Sequence, residues 1–227
     1  MSWQRPLGSS GLQVSALGLG AVKLGRNEEV KYPQPYAIPD DRAAARLLDC
    51  ARALGVNLLD TAPAYGSSEQ RLGQLLRGQR QQWLICSKVG EEFERGQSRY
   101  DFTPEHTRRS VLRSLQRLQT DVLDIVLVHS NGDDLRIIEQ LGTLQALAEL
   151  KQEGLLRAFG MSTRTLPGGL AAARACDVVM LTYSPRQQDE RPVLDACASL
   201  QRGALVKKAF DSGHLLATGA PADADPV

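Results

Sequence analysis

Asp60, Tyr65, Lys88 and His129 are the side chains of this 227-residue sequence whose types could do chemistry together. A tyrosine hydroxyl ionises near pH ~10 when unperturbed, so alone it is a poor acid or base at neutral pH. An ammonium group beside it stabilises tyrosinate and lowers that value. A carboxylate paired with the lysine keeps the ammonium charged and in place. A neutral imidazole can donate a hydrogen bond to a carbonyl oxygen. Such a set could protonate a carbonyl oxygen while a hydride arrives at the carbon. No side chain carries a hydride, so this chemistry requires a nicotinamide cofactor.

The elements that must position these groups are legible as apolar runs. Val56-Asn57-Leu58-Leu59 follows Gly55 and reads as a short buried strand leading into Asp60-Thr61-Ala62-Pro63-Ala64-Tyr65-Gly66. Ser67 as N-cap with Gln70 three residues on predicts a capping box at the start of the next helix. Trp83 to Ser87 is a strand that delivers Lys88, and Val122 to Val128 runs directly into His129. If these strands are parallel, their C-terminal ends share one face, and residues distant in sequence meet there.

Taken in order, Arg5 to Val14 predicts a hairpin turning at Gly8-Ser9-Ser10-Gly11. Ala16 to Gly20 is a first short strand; Gly18, Gly20 and Gly25 lack the spacing and the following helix of a dinucleotide loop. Tyr32 to Pro39 is a loop. A helix then starts at Asp40 or Asp41, with Ala44, Leu47, Leu48, Ala51 and Leu54 on one face. A second helix places Leu72, Leu75 and Leu76 inward. Glu91 to Phe102 reads as a loop, and Thr103-Pro104 as a helix start. After His129 come a polar loop, a helix carrying Leu144, Leu147 and Leu150, and a strand from Leu155 to Met161. Val178 to Leu181, a helix from Pro192 to Leu200, and Ala204 to Val206 complete seven barrel strands. Near-continuous apolar strands alternating with helices predict an α/β sheet covered on both faces. Residues 1–227 read as one domain, with a flexible tail over 217–227.

Composition narrows the partners. Lys and Arg number 27 against 26 Asp and Glu, which leaves no net field to draw in nucleic acid or an anionic membrane. No apolar run is long enough to span a bilayer, and the first residues lack the core of a signal peptide. Cys50, Cys86, Cys176 and Cys197 are scattered, which predicts reduced thiols of a cytoplasmic protein and no metal site.

Several separate motifs carry a resemblance. Leu59-Asp60-Thr61-Ala62-Pro63-Ala64-Tyr65-Gly66, followed by Ser68-Glu69, resembles the first signature of the aldo-keto reductases, a family of (β/α) barrels that use NADPH or NADH. Ser87-Lys88 is similar to its lysine strand and Val128-His129 to its histidine strand. Gly160-Met161-Ser162 is similar to the strand that holds the nicotinamide carboxamide. The likeness runs from the Leu7-Gly8 hairpin to about His214.

The resemblance implies a TIM-type barrel, Tyr65 as general acid, Lys88 and Asp60 as its tuning pair, and His129 orienting the carbonyl. It implies Ser162 against the carboxamide. Thr163 stands where many relatives have asparagine, and Met180 near the place from which a glutamine often reaches that amide. Tyr183 lies close to the same site. Lys207 and Lys208 stand where many relatives lay an aromatic ring on the nicotinamide, and they are expected to reach cofactor phosphate or to cap the strand. The implied cofactor is NADPH, with NADH as the alternative.

The family closes its barrel with an eighth strand and a final helix that bind the adenosine 2′-phosphate. Nothing after Leu216 resembles them, so the expectation is a C-terminally short barrel that self-associates through open strand edges. The leading function is reduction of a small aldehyde or ketone, or oxidation of the alcohol. Two alternatives stay open: a barrel that binds nucleotide or a partner without turnover, and a Schiff-base lyase using Lys88.

Overall fold

Residues 3–217 are described by a computed structural model. The chain starts with the predicted hairpin, β1 (Gln4–Pro6) against β2 (Gln13–Ser15). β3 (Gly18–Gly20), β4 (Leu58–Asp60) and β5 (Leu84–Val89) then pair in parallel. A second hairpin, β6 (Glu91–Glu94) and β7 (Gln97–Tyr100), leaves the sheet. The parallel sheet resumes with β8 (Leu123–His129), β9 (Leu156–Ser162), β10 (Val178–Thr182) and β11 (Gly203–Lys207). Its order is β11-β10-β9-β8-β5-β4-β3, so each parallel strand lies beside its predecessor and the sheet winds one way. The helices between them are α1 (Asp41–Ala53), α2 (Ser68–Leu75), α3 (Pro104–Leu118), α4 (Asp134–Gln140), α5 (Thr143–Gln152), α6 (Leu166–Ala175), α7 (Arg191–Ser199) and α8 (His214–Ala217). This is the expected α/β architecture, a curled (β/α) sheet of seven strands among the described residues. The tail expected over 217–227 lies, from 218 on, outside them.

Strand alternation divides the apolar residues into two layers. Leu59, Ile85, Val126, Val128, Met161, Val179 and Leu181 point outward and pack with helix residues such as Leu48, Leu72, Val111, Leu147 and Val193. Leu58, Cys86, Ile125, Leu127, Ala158, Val178, Met180 and Leu205 point inward and pack with Leu7, Leu12 and Val14 of the first hairpin. Each such leucine taken from water contributes about 1.5–3 kcal/mol. The hairpin crosses the floor of the curl: Ser9 N donates to Gln201 O at 2.8 Å, and Ser15 N to Asn57 Oδ1 at 2.7 Å. Gly203 lies so close to Leu7 that a methyl group there would collide with it.

Local signals succeeded where a side chain closes a helix end. Asp40 accepts from Ala43 N at 2.7 Å, and Thr103 from His106 N at 3.3 Å with Pro104 at the first helical position. The capping box at Ser67 and Gln70 does not form. Ser67 sits at φ −86°, ψ 7°, not extended as a cap requires, and its side chain makes no cap bond. The segment expected to be a loop over 91–102 is the β6–β7 hairpin. Arg95 (φ 52°) and Gly96 (φ 77°) make the left-handed pair that a two-residue hairpin turn needs. The polar stretch after His129 contains α4, which buries Ile137 and ties down through Asp134: its Oδ2 accepts from Thr165 N at 2.8 Å and Arg164 N at 3.0 Å. Leu47 of α1 and Leu54 just past its end are exposed, and only Ala44, Leu48 and Ala51 of the helix are buried. All four cysteines are free thiols, and among the described residues no helix is long and apolar enough to cross a membrane.

Candidate active site

The inward parity of the strands places the chemistry. Leu58 faces in, so Asp60 does; Cys86 faces in, so Lys88 does; Leu127 faces in, so His129 does. Asp60 and His129 are the last residues of their strands, and Lys88 lies inside β5, one residue earlier than a strand end. All three line one cavity of about 1120 Å³, together with Tyr65, Ser162, Lys207 and Lys208.

Lys88 is 2% exposed. Its Nζ donates to Asp60 Oδ1 at 2.6 Å and to Thr61 O at 2.9 Å. Burial alone favours the neutral amine, but Asp60 and then Tyr65 outweigh it and hold the ammonium well above the ordinary lysine range. A charged ammonium so engaged has no free lone pair, which argues against the Schiff-base reading of Lys88. Its Nζ lies 4.8 Å from the centre of the Tyr65 ring. That ring meets His129 edge-on, centroids 6.1 Å apart at 88°.

The sequence led to an expected fall in the Tyr65 pKa, and the structure reverses the sign. Burial pushes the hydroxyl up to about 12; Lys88 pulls it down without overcoming burial, and Asp60 opposes Lys88. Tyr65 is therefore a proton-loaded group across the whole neutral range. That suits an acid.

His129 has a partner the sequence did not reveal. Its Nδ1 lies 2.7 Å from Glu91 Oε2, a close electrostatic contact that lacks hydrogen-bond alignment. Burial lowers the His129 pKa; Glu91 opposes, and Lys88 and Lys207 reinforce the fall, so the ring is neutral near pH 7. Burial pushes Glu91 upward, but His129 and Ser98 Oγ, which donates at 2.6 Å, bring it to about 2. Glu91 is thus charged while His129 titrates, and only it opposes the desolvation of the imidazolium at short range. In Glu91→Gln the His129 pKa should fall further, read by an NMR titration of the ring protons. An unmoved value would mean that the contact is electrostatically idle.

The turn carrying Tyr65 is held by two glycines. Gly66 has φ 60°, and a methyl group on it would strike Gly25 O. One on Gly25 would strike Tyr65 O and Ser68 N. Ser67 N donates to Gly25 O at 3.3 Å, and Ala21 N to Asp60 O at 2.8 Å. Ser68, turned inward, bonds Thr61 Oγ1 at 3.0 Å and Ala21 O at 2.9 Å. Glu69 is fully buried and accepts from Ser87 Oγ at 2.7 Å and Arg117 at 3.3 Å, pinning α2 to β5 and α3. Gly25→Ala should cost about 1–3 kcal/mol of stability through overpacking. Because Tyr65 must shift to make room, turnover should fall as well. Denaturant midpoint and kcat, measured side by side, check this; wild-type values of both would show slack in the turn.

The remaining expected residues separate by parity. Ser162 and Lys207 face in, and Lys207 Nζ donates to Ser162 Oγ at 2.8 Å and Thr163 O at 2.6 Å. Lys208 is exposed at the mouth, with φ 58°. Thr163 and Tyr183 do not line the cavity. Thr163 is buried with Oγ1 unpartnered, and Tyr183 packs against the outer core. Met180 faces in and lines the cavity below Thr182. Arg164, Lys31 and Glu190, which no motif marked, also line it. The Lys208 pKa is lowered by burial and by the nearby charges of Lys31 and Arg164, so this rim holds cations that repel one another.

The profile of the aldo/keto reductase family matches residues 16–218. A solved Pseudomonas aeruginosa structure classed among the aldo-keto reductases is 56% identical with a TM-score of 0.85, covering 91% of this chain and 78% of that one. An aldo-keto reductase from Bacillus halodurans, in its holo form, is 30% identical with a TM-score of 0.77, covering 92% and 67%. L-galactose dehydrogenase of Arabidopsis thaliana is 37% identical over 165 residues, 70% of this chain. The match spans 47% of that relative, so the chain covers about half the length of such curated relatives.

Proposed function

The chain belongs to the aldo/keto reductase family, and on that premise we propose that it is an NAD(P)H-dependent oxidoreductase reducing a small aldehyde or ketone. The observation that carries the proposal is the buried Lys88–Asp60 pair beside a protonated Tyr65 and a neutral His129.

The residues fit a nicotinamide dinucleotide. The mutually repelling rim cations Lys31, Arg164 and Lys208 call for an anion, and a diphosphate supplies one. Ser162 Oγ, at the cavity wall, would meet the carboxamide once Lys207 gives way. NADPH is the cofactor we propose, with NADH as the alternative. Bound there, the cofactor would supply the hydride.

The chain's own part is the proton. Tyr65 donates its hydroxyl proton to the carbonyl oxygen as that oxygen gains charge. Lys88, held charged by Asp60, stabilises the tyrosinate left behind. Neutral His129 aims a ring N–H at the same oxygen and fixes the carbonyl's direction. The free cysteines suit a reducing compartment, and we place the protein in the cytoplasm.

The test is a fluorescence titration with NADPH and NADH, followed by turnover on a panel of aldehydes and ketones. Saturable binding with carbonyl-dependent cofactor oxidation supports the proposal. Failure to bind either cofactor, or binding with no turnover on any carbonyl, overturns it in favour of a non-catalytic barrel.

A further inference from the structure

Lys207 is an unusual lysine. Its ammonium end is turned into the cavity, yet among the described residues no carboxylate lies within ion-pair distance of it. Lys88 has Asp60 and Lys151 has Asp177; Lys207 has only the Ser162 hydroxyl at 2.8 Å and the Thr163 carbonyl at 2.6 Å. Two acceptors match the two N–H bonds of a neutral amine and leave its lone pair unengaged. The charged groups acting on it are Glu190, which favours the ammonium, and Lys208, Arg164 and Lys88, which oppose it.

We propose that Lys207 is a second reactive group of this cavity, a neutral amine that captures the carbonyl carbon of an aldehyde and forms an imine. The proposal shares with the reductase reading only the class of ligand, a small carbonyl compound. The electrostatics agree with the geometry: burial first, then the neighbouring cations, bring the Lys207 pKa to about 8, against Glu190. Near neutral pH this gives roughly 100-fold more free amine than an exposed lysine holds. Desolvation beside another cation is a known way of activating such an amine.

The step balances within the site. The Lys207 nitrogen lone pair forms the C–N bond as the carbonyl π bond opens onto oxygen. Glu190 lines the same cavity and has Oε2 buried without a hydrogen-bond partner, so its carboxylate can take a proton from the nitrogen and pass it to that oxygen. The second nitrogen proton follows the same route, and the oxygen departs as water, which leaves the imine and returns Glu190 to its starting carboxylate. Aldehyde plus amine gives imine plus water, with no oxidant or reductant consumed.

The protein has six lysines, Lys23, Lys31, Lys88, Lys151, Lys207 and Lys208, so each can be followed separately. The cofactor-free protein is treated with dilute propanal and cyanoborohydride at pH 7, and N-propylation at each lysine is timed by peptide mass spectrometry. Lys207 should be modified roughly tenfold or more faster than Lys208 or Lys151. Equal or slower labelling of Lys207 overturns the proposal. In Lys207→Arg, which keeps the length but carries a permanent charge and no free amine, the fast phase should vanish; its persistence would assign it to another group and overturn the proposal. If that variant does not fold, Glu190→Gln serves instead, with labelling of Lys207 slowed several-fold; an unaltered rate in it would remove Glu190 from the step and overturn the mechanism as written.

The labelling uses no nicotinamide, so the two readings fail separately. Cofactor oxidation by an aldehyde with Lys207 unlabelled sinks the amine alone. Fast labelling of Lys207 with no cofactor oxidation on any carbonyl sinks the reductase alone.

Discussion

Tyr65→Phe should fold and bind cofactor like the parent chain while reducing carbonyls roughly 100-fold or more slower, the loss expected for a general acid. That ratio corresponds to about 2.7 kcal/mol of transition-state stabilisation. Phenylalanine keeps the ring that meets His129 edge-on and removes only the hydroxyl, so binding and chemistry are cleanly separable. The pH dependence adds a second check. With its pKa at about 12, Tyr65 stays protonated through the neutral and mildly alkaline range. The rate of reduction should therefore show no alkaline fall from Tyr65 until the pH approaches that value. The acid limb belongs to His129, whose pKa burial lowers: in the proposed reaction the neutral ring that orients the carbonyl is lost as the pH falls through it. A folded Tyr65→Phe protein with unchanged turnover would falsify the assignment.

Why so much of this site was readable, and where reading stopped, both follow from strand geometry. Lys88 and His129 each interrupt an apolar run at the parity of inward residues such as Cys86 and Leu127, so a sequence with no coordinates already placed them together. The same alternation shows why Tyr183 packs outside: Met180 and Thr182 take the inward parity in β10, and Tyr183 follows out of phase. Thr163 is out of phase with Ser162 for the same reason.

Glu91 is different. It reaches His129 only because β6 and β7 fold into a hairpin, and the Arg95-Gly96 turn lay hidden in a stretch of polar residues. Gly25 lacks the spacing of a phosphate-loop glycine. Its actual reason is a close approach to the Tyr65 turn, which is a tertiary fact that no local pattern encodes. The sign of the Tyr65 shift was missed because proximity to Lys88 is visible in sequence terms whereas burial is not.

Lys88→Met should produce the largest combined effect, because the pair it breaks holds the fold and, in the proposed reaction, sets the charge beside Tyr65. Removing the ammonium leaves Asp60 without its 2.6 Å partner. An uncompensated buried charge typically costs about 3–5 kcal/mol. Asp60 retains 23% of its side-chain exposure, so water recovers part of this and about 2–3 kcal/mol is expected. The Lys88 pKa is raised on folding, so its contribution to stability is complete below the unfolded value, about 10.4, and is lost as the pH rises through the higher folded value. The gap between wild-type and variant melts should accordingly stay constant through the neutral range and narrow only above about pH 10.4. Chemistry changes too. Without the charge that opposes burial, the Tyr65 pKa should climb further, and alcohol oxidation, which needs tyrosinate, should lose its rise at high pH. Asp60→Asn in the same chain separates the two roles. The double variant should recover much of the lost stability, since no unpaired carboxylate remains, and recover none of the rate. If stability and rate return together, Lys88 acts only by holding the fold, and its electrostatic hold on Tyr65 must be abandoned.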